Sequence, residues 1–202
     1  MDYTAIKDKI KFIIENEGGL VSGKVLKEAG IQRIAIYSLL DEGFLTKESH
    51  GKYGLSDNTP DEYKVIQSRS GKLIFSHATS LYLHGMSDRV PHTLDITVPQ
   101  GDNISRIKKT YPNIRFHYSK KEQWDLGIQD IITPQGYKVK AYDLERCICD
   151  LIRDKDSVDT QVYTQAIREY FSGKKCNTRK IIKYSKVFNV EEKVRNYMEV
   201  LQ

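Results

Sequence analysis

The residues whose types and spacing best fit a chemical task lie near the start of the chain, and the task they fit is reading a DNA base pair. Gln32 and Arg33 open the segment QRIAIYSLLDE, with Tyr37 and Ser38 following within a helical turn or so. Gln can pair with adenine and Arg with guanine through two hydrogen bonds each, and each such pair contributes roughly 1–3 kcal/mol of discrimination. Arg33 is the first choice for base reading. Ser22 and Lys24, at the head of a short apolar-periodic segment, could hold a phosphate at a helix N-terminus. Lys47, His50 and Lys52 flank a Gly-containing turn from which they could reach a neighbouring phosphate or the minor groove. The competing reading of all these positions is a solvated face, or a module that contacts protein only.

Affinity for DNA comes largely from neutralising phosphates, and here the charge is unevenly placed. Residues 1–60 hold 8 Lys/Arg against 9 Asp/Glu, whereas residues 165–202 hold 9 against 4. Arg179, Lys180, Lys183 and Lys186 recur at near-helical spacing and so share one helical face, preceded by Lys174 and Lys175. This C-terminal basic face is expected to add phosphate contacts; an ordinary solvated face or a docking face for an acidic partner is the alternative. A second group, Arg106, Lys108, Lys109, Arg115, Lys120 and Lys121, has no regular spacing.

Other constellations point away from catalysis and metal. His77 and His84 are seven residues apart, about two helical turns, which is too far for both to hold one ion directly, so structural roles are expected. Asp95 stands alone on its strand-like segment, and Lys138 and Lys140 have no acidic residue two positions ahead. The paired carboxylates of a two-metal nuclease and the Gly-Ser turn with paired Asp of a nucleotidyltransferase are both missing. Cys147, Cys149 and Cys176 are too few and too irregular for a disulfide framework or a four-ligand zinc site, and are expected to be buried or half-buried thiols. No catalytic residue, metal or cofactor is therefore expected.

The elements that must position these residues follow from periodicity. Ile6, Ile10, Ile13 and Ile14 predict a first helix from Tyr3 to about Glu17, stopped by Gly18-Gly19. Ser22 caps a short helix through Ala29, ended by Gly30, and a third helix, Gln32 to Glu42, turns Ile36, Leu39 and Leu40 inward. The pattern then becomes alternating, at 44–47 and 52–55, which predicts a small hairpin. Three helices and a hairpin make a winged helix-turn-helix over residues 1–58. A linker is expected at Ser56 to Asp61, with Thr59-Pro60 among its turn formers.

A second domain, 61–202, opens with helices near Glu62 to Arg69 and Ser76 to His84, the latter capped by Ser76 and closed by Gly85. Strands are expected at 94–98, 114–118, 128–133 and 137–141, with a helix near 104–110. Helices follow at 143–153, 158–171, 178–188 and from Val190 to the end, where Asn189 with Glu192 resembles a capping box. The fold class expected is α+β: an N-terminal winged helix-turn-helix plus a C-terminal α+β domain with a small mixed or antiparallel sheet and a helical C-terminal half.

The 202 residues, 39% of them hydrophobic, can build such cores, and a net charge of +5 suggests nucleic acid without establishing it. No apolar run approaches the roughly 20 residues of a membrane helix; a cytoplasmic location and no membrane partner are expected.

The winged-helix segment GIQRIAIYSLLDEGFL with wing GKYGLS, followed by SHATSLYLHGMSDRVPHTLDITVPQG, resembles the AbiEi-type antitoxins of type IV toxin–antitoxin systems. Ser76-His77, Leu81 to Gly85 and Thr97-Val98-Pro99 carry the resemblance most specifically, and it spans nearly the whole chain. It implies an N-terminal domain that binds inverted repeats in its own promoter, on double-stranded DNA, and represses its operon. It implies a C-terminal domain that counteracts a cognate AbiEii-type nucleotidyltransferase toxin without a stable complex, in abortive infection by phage, and that assists DNA binding. The wing here, His50-Gly51-Lys52-Tyr53-Gly54, is less basic than the Arg-rich wings of that family. Two other classes remain open from the residues: a metabolite-responsive winged-helix repressor, and an enzyme acting on nucleic acid or on the toxin.

Overall fold

The computed structural model describes residues 3–58 and 60–201; Thr59 of the expected linker and Gln202 at the end of the expected last helix lie outside the described residues. The protein is mixed α+β and divides into two compact units, Met1–Ser68 with Ile132–Val139, and Arg69–Ile131 with Lys140–Gln202.

The first unit contains α1 (Tyr3–Asn16), β1 (Val21–Ser22), α2 (Gly23–Glu28), α3 (Arg33–Asp41), β2 (Leu45–Ser49), β3 (Lys52–Leu55) and α4 (Glu62–Gln67). Ile10, Ile14, Leu26, Ala35, Ile36 and Leu39 bury their side chains together with Val21, Leu45 and Leu55, so the 3.6-residue and two-residue apolar periods converge on one core. Ser22 Oγ accepts from the Val25 amide and caps α2. After α2 the chain turns through Gly30 at φ +81, and the Gly30 and Ile31 amides bond back to the Lys27 and Leu26 carbonyls. That is the left-handed helix ending that glycine makes without a Cβ clash. The sheet has order β1-β3-β2, with Val21 opposite Tyr53 and a bulge between Lys47 and Ser49.

This unit does not stop at Asn58. Asp61 Oδ1 caps α4 through the Lys64 amide, the Lys64 stem runs against Gly18, and Lys64 Nζ donates to the Lys138 carbonyl at 3.3 Å. The helix read as opening the second domain thus packs with the first, as does the 132–139 turn.

The second unit carries β4 (Ile74–Phe75), α5 (His77–Leu83), β5 (Leu94–Pro99), α6 (Ser105–Thr110), β6 (Ile114–Ser119), α7 (Lys121–Trp124), β7 (Ile128–Ile132), β8 (Lys138–Tyr142), α8 (Leu144–Arg153), α9 (Thr160–Ser172), α10 (Thr178–Val187) and α11 (Glu191–Leu201). The outer ends of β7 and β8 run into the turn counted with the first unit. The sheet is mixed, in the order β6-β5-β4-β8-β7, with β5–β6 and β4–β8 parallel and β4–β5 antiparallel. Its core joins Ile74, Leu81, Tyr142, Cys147, Ile148, Leu151 and Ile152 to Tyr170, Phe171, Ile181 and Val194 of the helical C-terminal half.

Two caps differ from the sequence expectation. Asn189, read as capping α11, stands at φ +57 just past the end of α10. The Asn189 and Val190 amides bond to the Lys186 and Ser185 carbonyls, so Asn189 closes α10, the left-handed role that Asn fills when glycine is absent. Ser76 occupies the N-cap of α5 without a capping hydrogen bond, because its hydroxyl is committed elsewhere.

Candidate functional site

The outward face of α3 holds the base-reading candidates. Gln32 caps the helix backbone without a side-chain bond, and Gln32, Arg33 and Tyr37 are exposed. Ser38 is half-buried, 3.5 Å from the Tyr3 hydroxyl. Between them the same face presents Ile34, 73% exposed, and Tyr37, 52% exposed. A β-branched apolar side chain left that open beside Arg33 was not singled out from the sequence, because helical periodicity marks which residues turn inward and says nothing of an apolar residue off that stripe. Lys24 lies in an exposed pair with Glu28 at 3.7 Å. Lys47 and His50 on the hairpin are exposed, and Lys52 is half-buried in β3 opposite Ser22.

On α10, Arg179, Lys183 and Lys186 are exposed, as are Lys174 and Lys175 ahead of it. Lys180 departs from that set. Its ammonium lies 3.0 Å from Asp143 Oδ2 and 3.1 Å from Glu145 Oε2; burial works to lower its pKa, but the bonds to those two carboxylates outweigh it and raise the value. A cation so engaged is not on offer to a phosphate. Lys175 Nζ donates to the His84 carbonyl, and Lys186 sits 4.0 Å from Glu191.

The second unit also assembles a polar centre that the sequence did not reveal. Parallel pairing sets Asp95 beside Arg115 and Thr97 beside His117, and the two-residue strand period puts all four on one face. The start of α5 meets that face. Ser76 Oγ accepts from Thr97 Oγ1 at 2.8 Å and lies 3.1 Å from His77 Nδ1, while Thr79 Oγ1 accepts from the Asp95 amide at 2.7 Å. His77 takes the left-handed φ of +47, a conformation costing about 1–3 kcal/mol for a residue with a side chain. Its Nε2 lies 3.1 Å from Asp154 Oδ2, and His117 Nε2 lies 2.8 Å from Asp95 Oδ1. The two imidazoles stack, with centroids 3.7 Å apart and planes at 16°.

Burial tends to raise the Asp154 pKa, but hydrogen bonds from His77 and Arg153, with the Arg153 charge, hold its carboxyl well below the usual range. Ser76, His77 and Asp154 stand in the order of a nucleophile, base and acid. Ser76 is nevertheless fully buried and its hydroxyl already accepts from Thr97, so no substrate carbonyl can approach it. Among the described residues, His77, His117 and Asp154 form a group able to converge on a metal ion. His84, the other histidine of the motif, turns away: its Nε2 donates to the Tyr142 carbonyl at 2.9 Å, and burial lowers its pKa.

Among the described residues Arg146 is the largest fully buried side chain. It bonds Asp150 at 2.8 Å and the carbonyls of Gln123 and Leu126, and lies between the rings of Tyr142 and Phe188. Gly127 makes room, since a Cβ there would meet Arg146 Cβ at 2.9 Å and Asp143 Oδ2 at 3.0 Å. Cys147 and Cys149 are buried free thiols and Cys176 is half-buried; burial pushes the Cys147 and Cys149 pKa values up, which makes them poor nucleophiles.

No protein-family model and no curated protein matches the chain. Among solved structures it is similar to the RV2827C protein of Mycobacterium tuberculosis, with a TM-score of 0.63 at 12% identity, over 98% of this chain and 81% of that one. At that identity the likeness is one of fold.

Proposed function

We propose that this protein is a DNA-binding autorepressor of the AbiEi antitoxin type. In this reading the first unit is a winged helix-turn-helix, α3 enters the major groove, and the second unit counteracts a cognate nucleotidyltransferase toxin. The observation that carries the DNA reading is the open face of α3. Gln32, Arg33, Ile34 and Tyr37 are all exposed on the helix that follows α2 across the Ala29–Gln32 turn, which is how a recognition helix is presented. Arg33 supplies bidentate pairing to guanine, Gln32 pairs with adenine, and Ile34 supplies apolar contact to a thymine methyl group. Lys47, His50 and Lys52 take the flanking backbone, Ser22 and Lys24 a phosphate, and Lys174, Lys175, Arg179, Lys183 and Lys186 add phosphate contacts. The toxin role rests on the sequence resemblance.

The test is a binding titration of the full chain on DNA from upstream of its own gene. Arg33→Ala is expected to lose roughly 5- to 150-fold in preference for the specific site, the equivalent of about 1–3 kcal/mol. Lys183→Ala is expected to weaken all sequences alike and to lower the salt slope by about 1. Absence of binding at moderate salt, or Arg33→Ala binding with unchanged preference, overturns the reading.

A further inference from the structure

We infer that His77, His117 and Asp154 of the second unit form a binding site for a divalent transition-metal ion of the zinc class. One donor atom from each lies within 4.8 Å of the others, and the donors come from three elements: the first residue of α5, the middle of β6, and the C-cap of α8. Two imidazoles and one carboxylate are the ligand set that zinc takes when a fourth position is left for water.

One edge of the coordination polyhedron is nearly in place. With metal–nitrogen and metal–oxygen bonds of about 2.0–2.2 Å, a tetrahedral site has donor–donor edges of roughly 3.3–3.6 Å. His77 Nε2 and Asp154 Oδ2 are 3.1 Å apart, so an ion replacing the proton between them asks for only a few tenths of an ångström. The third donor must travel further. Because the rings lie almost parallel at 3.7 Å, their lone pairs do not meet, and His117 has to rotate out of the stack. Its side chain is 18% exposed and borders a cavity of about 160 Å3 lined also by His77, His92, Asp95, Arg115 and Val158. That is room for a ring movement and a bound water.

The outer contacts of the two imidazoles suit a metal. His117 Nε2 is bonded to Asp95 Oδ1, leaving Nδ1 as its unprotonated donor. His77 Nδ1 faces Ser76 Oγ, which can accept a hydrogen bond from Nδ1–H and leave Nε2 for the ion. A carboxylate or hydroxyl on the far nitrogen is the usual orienting partner of a metal-bound histidine. Asp95 and Asp154 supply two negative charges, against Arg115 and Arg153, whose side chains are 54% and 36% exposed on the solvent side. The strained φ of His77 fixes its ring where Asp154 can reach it.

The site belongs to the second unit alone and does not depend on DNA binding. Its test is titration of the full chain with Co2+, read by visible absorption, followed by Zn2+ competition and a thermal melt. The wild type is expected to develop tetrahedral Co2+ bands that Zn2+ abolishes, to shift the His117 ring resonances as the stack opens, and to melt higher with Zn2+. His117→Ala and Asp154→Asn are expected to lose the bands, and Asp95→Asn to bind about 10- to 100-fold more weakly, while a change at the exposed Asp57, Asp57→Asn, leaves Co2+ binding as in the wild type. Each variant is first shown folded by its own cooperative melt; should His117→Ala fail to fold, His117→Gln takes its place. Absence of Co2+ bands and of a Zn2+-dependent melting shift in the wild type overturns the inference. So do bands that persist in folded His117 and Asp154 variants.

Discussion

Lys180 is in sequence one of a row of four basic residues, and in the fold it is half-buried with its ammonium turned onto two carboxylates of the second unit. Asp143 and Glu145 hold it, and Asp143 also accepts from the Tyr184 hydroxyl at 3.1 Å. Burial and the Asp143 charge push the Tyr184 pKa up from 10.0 to about 12, and the Lys180 pKa is likewise raised. A group whose folded pKa exceeds its unfolded one stabilises the fold fully below the unfolded value and loses that contribution as pH climbs through the folded value. The contribution of Lys180 and Tyr184 to stability in urea is therefore expected to be level up to about pH 9 and to fall between pH 10 and 12, with Tyr184 contributing on the order of 1–2 kcal/mol. Tyr184→Phe should flatten part of that decline; a profile unchanged by the substitution would count against the network. The same contrast explains what was legible. Gln32, Arg33 and Tyr37 depend on one helix and its preceding turn, so local periodicity suffices to expose them. His77 and His117 are forty residues apart and meet only through the parallel register of β5 with β6. The available signal was weak: alternate polar residues, Asp95 with Thr97 and Arg115 with His117, on two neighbouring strands.

Helices with long apolar periods stand in the structure close to their expected bounds, because α1, α3 and α9 each bury a stripe that sequence displays, whereas α8 is buried at every position from Glu145 to Ile152. The two-residue strands β1 and β4 and the four-residue α7 carry no period at all; they exist because a neighbour pairs with them, as Val21 does with Tyr53 and Phe75 with Ile96. Asn189 failed in a more instructive way, since Asn is favoured both at an N-cap and at the left-handed residue after a helix, and only the backbone tells which. The two roles separate on substitution. Asn189→Gly is expected to hold or raise stability, whereas Asn189→Ser, harmless at an N-cap, should lower it by about 1 kcal/mol at φ +57. Chemical denaturation of the two variants decides between them, and the reverse order would return Asn189 to α11.

At the scale of the molecule, the α+β class and the helical C-terminal half follow from the order of periods along the chain. The makeup of the first unit does not, because Ile132–Val139 joins it from far along the sequence. Tyr137 approaches Gly19, with its hydroxyl 3.5 Å from where a Cβ would stand, and Lys64 reaches the Lys138 carbonyl. A fragment ending at Ser68 is expected to exchange the amide hydrogens of Leu26 and Leu39 at least about tenfold faster than the full chain, the equivalent of roughly 1.4 kcal/mol. Equal protection in both would make the 132–139 turn dispensable.

The same discontinuity sets a clock on biosynthesis. With the ribosome adding about 5–20 residues per second, the stretch separating Ser68 from Ile132 takes on the order of several seconds to translate. Through that interval the nascent polypeptide carries its first unit without its last piece, so the unit whose larger segment is made ahead of the second unit is completed only once residues 132–139 have followed.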